Sequence, residues 1–177
     1  MGDAYARLHP SVAALHRTGA GRHFAGECDI TRGRNPLAHI ICTLFGFPKS
    51  GQAVPVTVDI SPDAKGEMWT RHFGGRRMRS HHRYGHGKQS RLVVEQFGPI
   101  AIHMAILEEA GNMRIETQGW SLFGISLPKL LRPGGDVYET EIDGRFVFNV
   151  DLQAPIIGRM VKYRGWLAPQ DSSQNTQ

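Results

Sequence analysis

The sequence predicts a mainly β fold: an antiparallel up-and-down barrel or strongly curved sheet of about eight to ten strands, with two short N-terminal helices covering one end. Three observations carry this. Short segments of alternating polarity recur along the chain after Pro48, punctuated by turn signals such as Gly74-Gly75 and Asp143-Gly144. No stretch alternates strand with helix in the βαβ manner, so the sheet is antiparallel. Each strand offers one apolar face, and a barrel of this strand number leaves room inside for one small ligand.

In order, residues Asp3 to Arg17 read as helix or two short helical pieces, with Leu8, Val12 and Leu15 at helical spacing. Pro10 suits a helix start, and Gly19 and Gly21 stop the run. Arg22 to Arg32 suits a strand. Asn35 followed by Pro36 is an N-cap with a first-turn proline. Leu37, Ile40, Ile41, Leu44 and Phe45 then give a short helix a wide apolar face, closed by Gly46 and Pro48. That face is expected to plug a barrel end; a lid or a helix resting on a membrane is the alternative.

Val54, Val56, Val58 and Ile60 alternate with Pro55, Thr57 and Asp59, a half-buried strand that Pro55 places near an edge. Strands follow over Met68 to Phe73, Arg76 to Tyr84, Arg91 to Phe97, Ile100 to Leu107 and Met113 to Trp120. Leu122 to Leu131 is an apolar insert with Gly124, Pro128 and, just beyond, Pro133, suited to a loop over an apolar opening. Val137 to Ile142 and Arg145 to Leu152 form a hairpin, and Gly158 to Leu167 closes the sheet. A single domain is expected over residues 3–167, followed by a polar, disordered tail over 168–177.

Composition narrows the class. The chain has 177 residues, a formal charge of +5, 40% apolar and 21% charged residues, which reads as soluble and globular. Cys28 and Cys42 form no CxxC pair, so neither a zinc framework nor a disulfide scaffold is indicated. The N-terminus lacks the hydrophobic run of a signal peptide, and the longest apolar run, Ile40 to Phe47, is too short to span a bilayer. A cytoplasmic location is expected.

Strand alternation selects the candidate site. Trp69, Arg71 and Phe73 share one face of their strand, and Val93, Glu95 and Phe97 share one face of theirs. If those faces look inward, Arg71 and Glu95 become buried polar partners among apolar neighbours. A carboxylate raised in pKa by an apolar site can act as a general acid or base, and a neighbouring arginine can orient an anionic or carbonyl group. Glu95, Arg71 and Tyr84 are therefore the candidate catalytic residues. Trp69, Phe73, Phe97, His103, Trp120, Tyr163 and Arg164 are the candidate ligand-binding residues.

Other chemistries find less support. His81 and His82 are adjacent in a strand and point to opposite faces, so no metal site is expected in the run to His86. Arg76, Arg77, Arg79 and Arg83 lie between Phe73 and Tyr84, but no recognition helix or RNA-binding signature accompanies them, and no nucleic-acid partner is expected. There is no GxGxxG, Walker or GxSxG motif, and no cofactor is expected.

Several motifs together resemble a known family. They include YARLHP at Tyr5 to Pro10, RGRNPLA at Arg32 to Ala38, WTRHFGG at Trp69 to Gly75 and VVEQFGP at Val93 to Pro99. GWSLFGISLP at Gly119 to Pro128, DGRFVFNV at Asp143 to Val150 and YRGWL at Tyr163 to Leu167 complete the set. The chain resembles an uncharacterised bacterial domain-of-unknown-function family, found alone or fused C-terminal to saccharopine-dehydrogenase-like reductase domains. The resemblance implies no assigned reaction and no catalytic residues. It implies shared small-molecule metabolism with a reductase partner, by association alone.

The leading expectation is binding of an apolar small molecule, lipid-like or a metabolite, in the barrel interior, with Arg71 and Glu95 as polar handles. The first alternative is a cofactor-independent acid/base enzyme, an isomerase or cyclase, on the same scaffold. The second is a peripheral membrane or partner-binding module using the Leu37 to Phe47 helix and the basic surface.

Overall fold

A computed structural model describes residues 2–170, so residues 171–177 of the expected disordered tail lie outside the described residues. Two short helices, α1 (Gly2–Tyr5) and α2 (Pro10–Leu15), lead into β1 (Arg22–Arg32). Helix α3 (Pro36–Leu44) separates β1 from β2 (Gly51–Asp63). A run of hairpins follows: β3 (Gly66–Phe73), β4 (Arg76–Tyr84), β5 (Val93–Phe97), β6 (Ile100–Glu109) and β7 (Asn112–Leu122). Beyond the insert, with its two-residue β8 (Ile125–Ser126), come β9 (Gly134–Ile142), β10 (Arg145–Ala154) and β11 (Gly158–Pro169).

Every pairing is antiparallel. β1 to β7 pair in sequence, β7 pairs with β9, β9 with β10, β10 with β11, and β11 returns to β1. Ten strands thus close a barrel, and β8 hangs on the end of β7. The seam between β7 and β9 is short: only Met113 opposite Glu139 and Arg114 opposite Tyr138 are paired. Beyond these pairs the insert takes over the edge of β7. Leu127 donates its N–H to the Trp120 carbonyl, and Trp120 donates its indole N–H to the Pro128 carbonyl at 3.2 Å.

Closure removes the edge that Pro55 suggested. β2 is paired on both sides, to β1 and to β3. The proline is tolerated because a strand residue's N and O point to the same neighbour. The Pro55 carbonyl accepts from Gly74 at 2.9 Å, in the turn beyond the last β2–β3 pair, Val56 opposite Phe73, so its missing N–H falls outside the ladder. Elsewhere the ring is tight. A Cβ on Gly165 would lie 2.2 Å from the Glu27 carbonyl oxygen and 2.5 Å from the Cys28 Cβ, so only glycine fits where β11 crosses β1.

The two barrel ends differ. Where β1 begins, α2 turns Val12 and Leu15 fully inward, and its backbone is tied down by Ser11 N–H to the Glu141 carboxylate at 2.8 Å. Just before α2, His9 N–H donates to the Gly111 carbonyl at 2.8 Å. Where β1 ends, α3 starts from the expected cap, with Asn35 Oδ1 accepting from Leu37 N–H at 2.9 Å. Its packing keeps only part of the expected plug, since Ile41 and Phe45 pack on the core while Ile40 and Leu44 do not. The small residues Ala38 and Cys42 are the buried face, the Cys42 thiol donating to the Met160 carbonyl at 3.6 Å. Small side chains let the helix sit close to β11, and Ile40 and Leu44 are left turned outward, with Leu37 half-exposed at the rim of the interior.

Candidate functional site

The inward-facing residues enclose a cavity of about 900 Å³. β6 contributes Ile100, Ile102, Met104 and Ile106, and β10 contributes Phe146, Phe148, Val150 and Leu152, each set at period two. Phe73 and Tyr163 face each other across the interior with ring centroids 5.5 Å apart, and Phe148 meets Tyr163 edge-on at 6.0 Å. Leu15 and His16 border the cavity from α2; Leu37, Ile41 and Phe45 border it from α3.

One wall is polar. The pairing of β3, β4 and β5 sets Trp69 opposite Ser80 and His82 opposite Glu95. Arg71, on the same face as Trp69, reaches across β4 to this group. Three donors meet one oxygen, Oε1 of Glu95: the Ser80 hydroxyl at 2.7 Å, His82 Nε2 at 2.8 Å and Arg71 Nη2 at 3.2 Å. Arg71 Nη1 donates to the Ser80 oxygen at 2.8 Å, so the hydroxyl relays between guanidinium and carboxylate. Trp69 packs the network from one side. His82 stacks on the Trp69 indole at 4.7 Å and 13°, and the Arg71 guanidinium lies 4.9 Å from its ring centroid. The side chains of Arg71 and Glu95 are only 14% and 15% exposed.

The electrostatics overturn one expectation. Burial does push the Glu95 carboxyl up, but attraction to His82 and to Arg71, with the His82 and Ser80 hydrogen bonds, outweighs it and holds the group down at about 2. Glu95 is therefore ionised at neutral pH, not the raised-pKa acid that an apolar setting alone implies. Its Oε2 takes part in none of the three bonds. Deep in the same cavity, burial raises the Tyr163 phenol, with Arg71 pulling weakly the other way. Burial pushes the Cys28 thiol up to about 12 and raises Cys42, so both free cysteines are unreactive core residues.

The cavity gathers most of the sequence candidates. Arg71, Glu95, Trp69, Phe73, Phe97, Trp120 and Tyr163 all line it. Trp120 does so through an irregularity: His103 pairs with Gly119 but Met104 pairs with Thr117, so Gln118 is an extra residue that flips the face of β7. Tyr84 borders the cavity but is 60% exposed and makes no hydrogen bond to Glu95 or Arg71. Two candidates are corrected. His103 sits on the opposite face of β6 from Ile102 and Met104, in an outer depression beside Arg83 and Ser121. Burial and the Arg83 charge lower its pKa, and its Nδ1 is buried without a partner. Arg164 is exposed on the outer face of β11, next to the inward Tyr163.

The polar residues Ser80, His82 and Glu139, on the inner faces of their strands, were not among the candidates. Ser80 and His82 alternate with Met78 on the inner face of β4, a signal that the strand pattern already contained. Glu139 lies on the inner face of β9 and binds His16, the residue after α2, at 2.5 Å. Only the fold brings a helix end to that strand. Among the described residues no group of three or more His, Cys, Asp or Glu converges as metal ligands. A sequence model of the family described as Domain of unknown function (DUF4166) matches residues 8–167, and no curated protein matches the chain.

Proposed function

The chain belongs to this family of unknown function, and we propose that it binds an apolar small molecule, lipid-like or a metabolite, inside the barrel. The observation that carries the reading is the asymmetry of the cavity: aliphatic and aromatic walls on β6 and β10, and one hydrogen-bonded polar group on β3 to β5. Ligand pockets of this size are mostly apolar with a few placed polar groups. The free Oε2 of Glu95 suits a hydroxyl or N–H of the ligand. Arg71 has five N–H donors and commits two of its nitrogens to Ser80 and Glu95, which leaves capacity for a carbonyl or carboxylate. The favoured ligand is thus an apolar body with one small polar end.

Two buried free thiols accord with a reducing compartment, and the proposed location is the cytoplasm. Among the described residues no helix is long and apolar enough to cross a membrane. A reductase acting on the same class of molecule is the proposed partner.

Native mass spectrometry of the purified chain, with thermal melting against lipophilic compounds, tests the reading. A saturating ligand at about a hundred times its Kd stabilises by about 2.7 kcal/mol. The shift is expected to vanish in Trp69→Ala and Phe73→Ala variants that still fold. A wild-type protein that carries no bound molecule and is stabilised by no lipophilic compound sinks the proposal.

A further inference from the structure

We infer that the α3 end of the barrel is a docking surface for an anionic lipid bilayer. This deepens the ligand reading by naming where an apolar molecule enters, and it rests on the mouth of the cavity, not on its interior.

Large apolar side chains from separate elements are exposed around one opening. α3 offers Leu44 at 77% exposure, the insert offers Phe123 at 78% and Leu130 at 83%, and the β10–β11 turn offers Ile156 at 93%. They belong to one end of the molecule. Asn35 Nδ2, at the start of α3, donates to the Ile157 carbonyl at 3.1 Å, and Phe123 N–H donates to the Pro99 carbonyl beside the β5–β6 turn at 2.8 Å. Leu37, Leu131 and Ile156 are exposed and also line the cavity, so apolar side chains at this end border both solvent and the interior. Soluble proteins rarely leave such surface uncovered unless something covers it in use.

Backbone geometry reinforces the point. Ile156 has φ of 69° and Phe123 has φ of 49°, left-handed conformations that disfavour a β-branched or bulky residue. Glycine or asparagine would be the unstrained choice at each tip. Both positions therefore carry a large apolar group at a cost in strain and in hydration.

Charge selects the occupant. The segments that build this end, residues 32–53, 73–77, 97–100, 121–135 and 153–159, contain eight Lys or Arg and no Asp or Glu. Among the described residues only Arg159 of these eight pairs with a carboxylate, that of Asp151 at 2.8 Å. The segments at the opposite end, residues 2–22, 60–67, 84–93, 107–113 and 141–145, contain seven of each sign. The chain's positive excess is thus placed at the apolar mouth. Apolar anchors inside a cationic rim match a negatively charged membrane surface, where apolar burial and attraction to anionic headgroups act together.

Flotation of the full chain with vesicles tests this. Binding is expected to vesicles of phosphatidylglycerol in phosphatidylcholine, much less to phosphatidylcholine alone, and to weaken with added salt. An Arg34→Ala, Lys129→Ala double variant is expected to lose roughly thirtyfold in partitioning. Leu44→Asp is expected to abolish binding. Ile156→Gly relieves the strained turn, so it should keep or raise the melting temperature while weakening binding, which separates docking from folding. Trp69→Ala should still float, because docking does not need the interior; a ligand reading that fails leaves this result standing. No binding to the anionic vesicles overturns the inference, as does binding that survives both Leu44→Asp and Ile156→Gly. A dimer that Leu44→Asp dissociates, with no flotation, assigns the face to a second copy and also overturns it.

Discussion

Two arginine–tryptophan pairs occupy opposite faces of the barrel wall. Inside, Arg71 lies 4.9 Å from the Trp69 ring centroid; outside, Arg145 lies 5.2 Å from that of Trp166. The residue types and the geometry are nearly the same. The surroundings are not. Arg71 is mostly buried and holds Glu95 and Ser80, whereas Arg145 is exposed, at the first residue of β10. The contact itself is therefore not what gives the inner pair its weight. What matters is that its arginine neutralises a carboxylate that has been taken out of water.

The sharpest break of the comparison is removal of each arginine in turn. Arg71→Ala leaves Glu95 buried with Ser80 and His82 as its remaining partners, and removing one member of a buried pair costs about 3–5 kcal/mol. For a chain of this size that is a fall of roughly 6–20 °C in melting temperature. A fall of only a few degrees would mean that the cavity is wet enough to hydrate Glu95 unaided.

Acid titration isolates the carboxylate. The folded-state pKa of Glu95 lies at about 2, below its usual value of 4.5. The unfolded chain thus binds this proton first as pH falls, and the stability the ionised group provides is present above about pH 4.5 and lost on the way down to 2. The shift corresponds to about 3 kcal/mol. Glu95→Gln removes that titration, so its stability is expected to fall less steeply than wild type over this window in denaturant melts at stepped pH. Parallel acid slopes for the two proteins would refute the assignment. The outer pair has no counterpart to this effect.

How much of this was legible before the structure follows the same inside–outside divide. The barrel could be read because period-two alternation and hairpin turns are local signals. The facing of Arg71 and Glu95 could be read for the same reason, since each sits between apolar residues two positions away. Arg164 and Tyr163 could not both face a ligand, being adjacent in a strand, and the even positions Ile100, Ile102, Met104 and Ile106 already marked His103 as outward. The reach of Trp120 was hidden, because it depends on the extra residue Gln118 in a ladder whose register the sequence does not display. The orientation of α3 was hidden too. Helical spacing identifies an apolar face, and Ile41 and Phe45 of that face do meet the core, but β11 takes the small residues Ala38 and Cys42, which leaves Ile40 and Leu44 outward. The sign of the Glu95 shift was lost with Ser80 and His82. An apolar context raises a carboxylate, and only the three converging donors reverse it.

The smallest expected effect is the most discriminating. Arg145→Ala removes the outer cation–π contact but strands no buried charge, since Arg145 is exposed and Trp166 keeps its packing on β11. Surface changes of this kind stay within about 0.5 kcal/mol. The melting temperature should therefore hardly move, and ligand stabilisation should be that of wild type, because neither residue lines the cavity. A loss comparable to that of Arg71→Ala would show that the stacked pair itself braces the wall. The burial of Glu95 would then not be what separates the two faces.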